Sequence, residues 1–159
     1  MLPSLSSSPS EPVVRATTAP LPGSFAAFFA RASAALRREH GQAWGKHVHA
    51  LRGLCVVLHI GDEVIPLRFS AVGVALMPDD GGAHVVLSAD HAMIFALVDG
   101  EVTIEAAVRQ NRLRLRGTPA HLVRFHEGLM LWLHGAVRCP SFPQILADTR
   151  DIGWETPCL

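Results

Sequence analysis

Between His49 and Ser88 the chain reads with a period of two, and past Asp90 it turns mostly to a period of three to four. That switch constrains the fold most. A block of strands followed by a block of helices builds segregated α+β layers, whereas alternating units would build a parallel α/β sheet. The first extended run, His49–Ile60, carries CVVLHI and ends at a Gly61-Asp62 turn. In Val64–Ser70, Ile65, Leu67 and Phe69 share one face and Val64, Pro66 and Arg68 the other. Pro66 has no N–H for a ladder, which assigns it to an edge or a bulge. Ala71–Met77 is a third extended run interrupted by Gly73, PDDGG at 78–82 is a turn, and His84–Ser88 is a short fourth strand. No run between Gly41 and Ser88 shows helical spacing, so the expectation is a mostly antiparallel sheet.

Helices flank this block. Ser24 reads as an N-cap, followed by Phe25, Phe28, Phe29, Ala32 and Leu36 at helical steps, and Gly41 stops the helix. Asp90 caps a helix through Met93, Ile94, Leu97 and Val98 that ends at Gly100. Thr103 caps a short helix over 104–110, with Glu105 in the first turn where the helix dipole favours an acid. Arg112–Arg116 alternates Arg and Leu, a half-buried strand placed late in the chain. Thr118-Pro119 is an N-cap followed by a proline at the first helical position. The helix it starts aligns Leu122, Phe125, Leu129, Trp132, Leu133 and Ala136 and reaches about Val137. A last short helix is expected over 143–149. Residues 1–23, rich in Ser, Pro and Thr, read as a disordered or loosely docked leader, 24–149 as the domain and 150–159 as a tail.

The 159 residues suit one domain. Lys plus Arg and Asp plus Glu number 14 each, and zero net charge argues against general nucleic-acid binding. Apolar residues make up 49% and charged ones 18%. A membrane span needs about 18–20 apolar residues. The longest uncharged runs, Phe69–Pro78 and Gly128–Val137, reach about half of that. No transmembrane segment is expected, and transient contact with a membrane stays open. The apolar surplus lines a cavity, faces a partner subunit or fills the core. Cys55, Cys139 and Cys158 are odd in number and show no metal-ligand spacing, which points to a reducing, cytoplasmic setting. Cys55 reads as a small buried hydrophobe. The N-terminus MLPSLSSSPSEP lacks the basic start and apolar block of a secretory signal.

Catalytic and metal signatures are missing. The nine histidines include no HExxH, and neither the His47/His49 pair nor the His121/His126 pair falls on one helical face, so no metal site is expected. There is no G-x-S-x-G. The carboxylate pairs Asp62-Glu63 and Asp79-Asp80 fall in turns and read as solvated. Two features stand out. Arg112, Arg114 and Arg116 lie on one strand face, either a solvated surface or an anion site for a headgroup or an acyl carrier's phosphates. The helix Glu127–Val137 is apolar almost all round, which means burial on both sides or a cavity wall.

Residues 99–117, DGEVTIEAAVRQNRLRLRG, resemble the late hallmark of the sterol-carrier-protein type-two family. Gly100, Thr103, Ala107, Arg112, Leu113, Arg114, Leu115 and Gly117 stand in the matching places. Asn111 replaces a customary Gly, but Asn tolerates a left-handed backbone, and Ile104 replaces a customary Pro. Pro157-Cys158-Leu159 is not a peroxisomal address. The resemblance implies an α+β domain over about 24–149: a five-stranded, largely antiparallel sheet with one strand inserted late, covered by helices and enclosing an apolar cavity. It implies a hydrophobic ligand (lipid, sterol, fatty acyl or polyketide-like) and no cofactor. The residues placed against that ligand are Phe25, Phe28, Phe69, Met77, Ile94, Phe125, Leu129, Trp132 and Leu133. An alternative is a pocket isomerase or cyclase, for which Glu127, His126 and His134 are the acid–base candidates. A third reading makes the apolar helix a homodimer seam.

Overall fold

The computed structural model describes residues 23–79 and 81–152; all but Gly23 of the leader expected over 1–23, and residues 153–159 of the tail expected over 150–159, lie outside them. The elements run α1 (Phe25–Glu39), α2 (Gly41–Leu51), β1 (Cys55–Ile60), β2 (Glu63–Ser70), β3 (Gly73–Leu76), β4 (Val85–Ala89), α3 (His91–Val98), α4 (Ile104–Arg109), β5 (Arg114–Gly117), α5 (Pro119–Ala136) and α6 (Phe142–Asp151). The five-stranded sheet has the order β3-β2-β1-β4-β5. β1 pairs parallel with β4, and the other neighbours pair antiparallel. The late strand β5 therefore closes one edge, and the α+β, largely antiparallel architecture expected of the chain is the one it adopts.

The caps form as the side-chain chemistry dictates. Ser24 Oγ accepts from the Ala27 N–H at 3.0 Å, Asp90 from Met93 at 2.7 Å, Thr103 from Ala106 at 3.2 Å and Thr118 from His121 at 3.3 Å. Asn111 has φ +57°, the left-handed conformation that the short amide side chain tolerates. Gly100, at φ +73°, ends α3 in the conformation that glycine adopts without strain.

Three expectations need correction. The chain is not extended from His49. Gly41 ends one helix by opening another, because His40 breaks the backbone at φ −138°, ψ 63° and α2 starts at once. Trp44, His47, Val48 and Leu51 share a face of α2 at helical steps. Second, β2 is an interior strand, although the proline rule holds locally. The Pro66 carbonyl accepts from the Met77 N–H at 2.8 Å just past the end of β3, so its missing N–H falls where that ladder stops. Third, Glu63 is no solvated turn residue. Its carboxylate accepts from the N–H groups of Phe25 (2.6 Å) and Ala26 (3.3 Å), so an acid from β2 caps the positive end of α1. Cys55 is half-buried.

The helices pack on one face of the sheet, over Val56, Leu58, Ile60, Ile65, Leu67, Phe69, Val85 and Leu87. The opposite face carries Val64, Arg68, Arg114 and Arg116, all exposed. α2 and α5 lie close because Gly128 and Gly135 remove side chains from their contact. Leu51 of α2 sits over Gly128, and Gly135 faces Ala43 of α2 and Leu36 of α1. Among the described residues no helix is long and apolar enough to cross a membrane.

Candidate functional site

A cavity of about 80 Å³ lies between the helices and the sheet. Phe25, Phe28 and Phe29 of α1 form one wall; Phe125, Leu129, Trp132 and Leu133 of α5 form another. The floor is Val56, Leu58 and Ile60 of β1, Leu67 and Phe69 of β2 and Leu87 of β4, and Ile94, Leu97 and Val98 of α3 close an end. Side chains alternate across strands, so residues 56, 58 and 60 face inward together. Phe29 stacks on Trp132 with ring centres 5.4 Å apart. The Trp132 indole N–H is satisfied outside the cavity by Ser33 Oγ at 3.0 Å. On the far side of Phe29 and Leu67 runs an open groove of about 520 Å³ between α1 and β3, floored by Ile65 and Val74 with Arg37 at its rim. Phe29 and Leu67 line both spaces and so form the partition between them.

Of the residues placed against a ligand from sequence, Phe25, Phe28, Phe69, Ile94, Phe125, Leu129, Trp132 and Leu133 all line the cavity. Met77 does not. It follows the end of β3, where its N–H serves the sheet. The acid–base candidates do not converge on the cavity either. Glu127 and His134 are exposed on α5. His126 is partly exposed, and its Nε2 lies 3.3 Å from Glu105 Oε1. Glu105 is held below the usual carboxylate range first by its own backbone N–H, then by the Thr103 hydroxyl, with His126 adding to both. Arg114 and Arg116 pair across from Ser88 and Val86 on the outer face, and Arg112 is exposed just before the strand. The sheet thus separates Arg114 and Arg116 from the cavity.

Residue-by-residue reasoning missed His47. It is the one titratable side chain among the described residues that line the cavity, and it is only 2% exposed. Its Nδ1 lies 2.7 Å from the Gly128 carbonyl oxygen. A carbonyl only accepts, so the proton is on Nδ1 and Nε2 keeps a lone pair. Nε2 is buried with no hydrogen-bond partner. Burial pushes this imidazole below the ordinary histidine value, opposed by the bond to Gly128, so the ring is neutral near pH 7. The ring lies edge-on to Phe69 at 5.5 Å and tilted against Trp44 at 5.4 Å. The spacing Trp44, His47, Val48, Leu51 was the available signal, since it turns His47 toward the core.

This layering is the fold of sterol-carrier-protein type-two domains. A structure described as UbiJ-SCP2, a ubiquinone synthesis protein, superposes with a TM-score of 0.54 at 18% identity, covering 70% of this chain and 93% of that one. A sterol carrier protein 2 matches at 0.47 and 17% identity over 69% of this chain and 95% of its own. Sterol carrier protein 2 from Yarrowia lipolytica matches at 0.45 and 13% over 67% and 89%. The first of these carries the fold assignment, and at such identities the likeness is one of fold. No family model and no curated protein matches the chain.

Proposed function

We propose that this domain binds a hydrophobic small molecule between its helices and its sheet and acts as a carrier or presenter. The observation that carries the reading is the cavity itself, walled by apolar side chains from both layers, with His47 as its one titratable group. A lipid, sterol, fatty acyl chain or polyketide-like molecule fits those walls. Each ~25 Å² of apolar ligand surface removed from water contributes about 0.6 kcal/mol. Pockets for drug-sized ligands run to about 300–1,000 Å³. A cavity of about 80 Å³ holds only part of such a molecule. Displacing Phe29 from the partition would join the cavity to the groove beside α1 and supply the missing length. The neighbour described as a ubiquinone synthesis protein is consistent with an apolar cargo.

No carboxylate lines the cavity among the described residues, so His47 would have no acidic partner there for acid–base chemistry. That favours binding over catalysis. Titration of the full chain with a fluorescent fatty acid, followed by tryptophan emission to which the cavity's Trp132 contributes, tests the reading. Saturable binding with quenching or a blue shift is the expected result. Absence of saturable binding, together with no lipid in the purified protein, overturns it.

A further inference from the structure

We propose that residues 11–16, EPVVRA, dock in the groove between α1 and β3 as a sixth strand on the free edge of β3. They form a strap over the space into which a long cargo would extend. The docking stands on the groove and the edge strand; its competition with cargo rests on the carrier reading above.

β3 ends the sheet, and no strand pairs with its outer edge among the described residues. The bond from the Met77 N–H to the Pro66 carbonyl sets its phase. Hydrogen-bonded pairs alternate along an antiparallel ladder, so Gly73 and Ala75 bond to β2 while Val74 and Leu76 turn their N–H and C=O groups outward. The side chains of Val74 and Leu76 line the groove, and Leu76 is still 42% exposed. An unpaired edge beside an apolar groove is a template for one more strand. The leader supplies it: Val13 and Val14 favour extended backbone, and Pro12 suits the first position of a strand.

Length and direction agree. β2 begins at the first turn of α1, where Glu63 caps it, and β3 runs antiparallel to β2. Leu76 therefore lies toward the start of α1 and Gly73 toward its end. From Ala26 to Arg37 the groove follows α1 for about 17 Å, at about 1.5 Å per residue. The five steps of extended chain from Glu11 to Ala16, at about 3.3 Å each, span the same length. Residues 17–22 then lead back to Gly23, three positions before the Ala26 that lines the groove. The added strand runs parallel to β3 with Arg15 opposite Ala75. The Arg15 N–H meets the Val74 carbonyl, and the Arg15 carbonyl meets the Leu76 N–H. Val14 and Ala16 fill the groove while Arg15 points to solvent. Glu11 falls beside Arg37, a groove residue with no ion pair among the described residues. A second copy is the rival occupant. The four residues of β3 offer it far less than the roughly 1,200 Å² of a stable interface. A tethered segment meets the groove at an effective concentration of about millimolar.

Hydrogen exchange of the Val74 and Leu76 amides in the full chain tests the docking. Arg15→Pro is the variant, because it removes the N–H that meets Val74 and lies outside the described fold. Both amides are expected to exchange at least about tenfold more slowly in the wild type than in Arg15→Pro. Glu11→Arg and Arg37→Glu should each reduce the protection, and the two together should restore it. Fast exchange in the wild type, or protection that Arg15→Pro leaves untouched, overturns the strap. Protection that rises with protein concentration assigns the edge to a second copy and overturns it as well. Arg15→Pro is also expected to bind a fluorescent fatty acid at least about threefold more tightly than the wild type, since the strap no longer occupies the groove. Equal affinity overturns the competition. If neither protein binds the fatty acid, the carrier reading falls, and the exchange result still decides the docking.

Discussion

Leu51 occupies the space that a side chain at Gly128 would need: a Cβ there would lie 2.4 Å from Leu51 Cγ. The same close approach of α2 to α5 brings His47 Nδ1 to 2.7 Å from the Gly128 carbonyl oxygen. One glycine thus sets both the packing of two helices and the tautomer of the cavity's histidine.

Gly128→Ala is therefore expected to overpack this contact and destabilise the domain by about 1–3 kcal/mol. Urea unfolding of Gly128→Ala, Leu51→Ala and the double variant checks it. The double variant should lose less than the sum of the singles, because each change makes room for the other. Full additivity would contradict the contact.

Ser33 and Trp132 are both buried and share one hydrogen bond of 3.0 Å. Ser33→Ala would leave the indole N–H unpaired and cost about 1–3 kcal/mol. Thermal unfolding should report a lower Tm, and the near-ultraviolet circular dichroism, to which Trp132 contributes, should change with it.

The His47 imidazole binds a proton less readily in the folded chain than in the unfolded one. Stability from its neutral form is complete above about pH 6.5, the unfolded value, and is lost as pH falls through the lower folded value. Wild type should thus lose stability between pH 7.5 and 5.5 more steeply than His47→Leu. The exposed histidines and carboxylates titrate alike in both proteins and cancel in the difference. Parallel pH profiles would contradict the buried neutral ring.

Val98 lines the cavity from the end of α3. Val98→Phe should fill part of the space and weaken binding of a fluorescent fatty acid at least tenfold with little change in Tm, since added apolar contacts offset the crowding. Unchanged affinity would place the ligand elsewhere.

Much of this fold is legible in local chemistry. Asp90, Thr103 and Thr118 cap helices because their oxygens have N–H groups three residues on to accept from, and the Asn111 backbone is left-handed for a reason internal to that residue. The cavity walls were legible too, because Phe25, Phe28, Phe125, Leu129 and Trp132 follow helical spacing. What escaped depends on contacts distant in sequence. Glu63 reads as solvated until α1 is laid against it, 38 residues away from Phe25. α2 was hidden because Gly41 and Gly45 lower its propensity and its support comes from packing on α5. His47 was hidden with it, since only that packing carries it inside. Of the arginine stripe, Arg114 and Arg116 fall on β5 while Arg112 precedes it, and which side of the sheet they take follows from register, where Leu113 faces the cavity and Arg114 faces away.

Native mass spectrometry of the freshly purified full chain, beside Val98→Phe prepared identically, tests the central claim most directly. A cavity that carries an apolar molecule predicts a wild-type species with added mass, an organic extract containing the corresponding lipid-like compound, and a Val98→Phe chain depleted of it. A wild type that shows only its bare mass, yields no apolar compound on extraction and takes up no fluorescent fatty acid would contradict it.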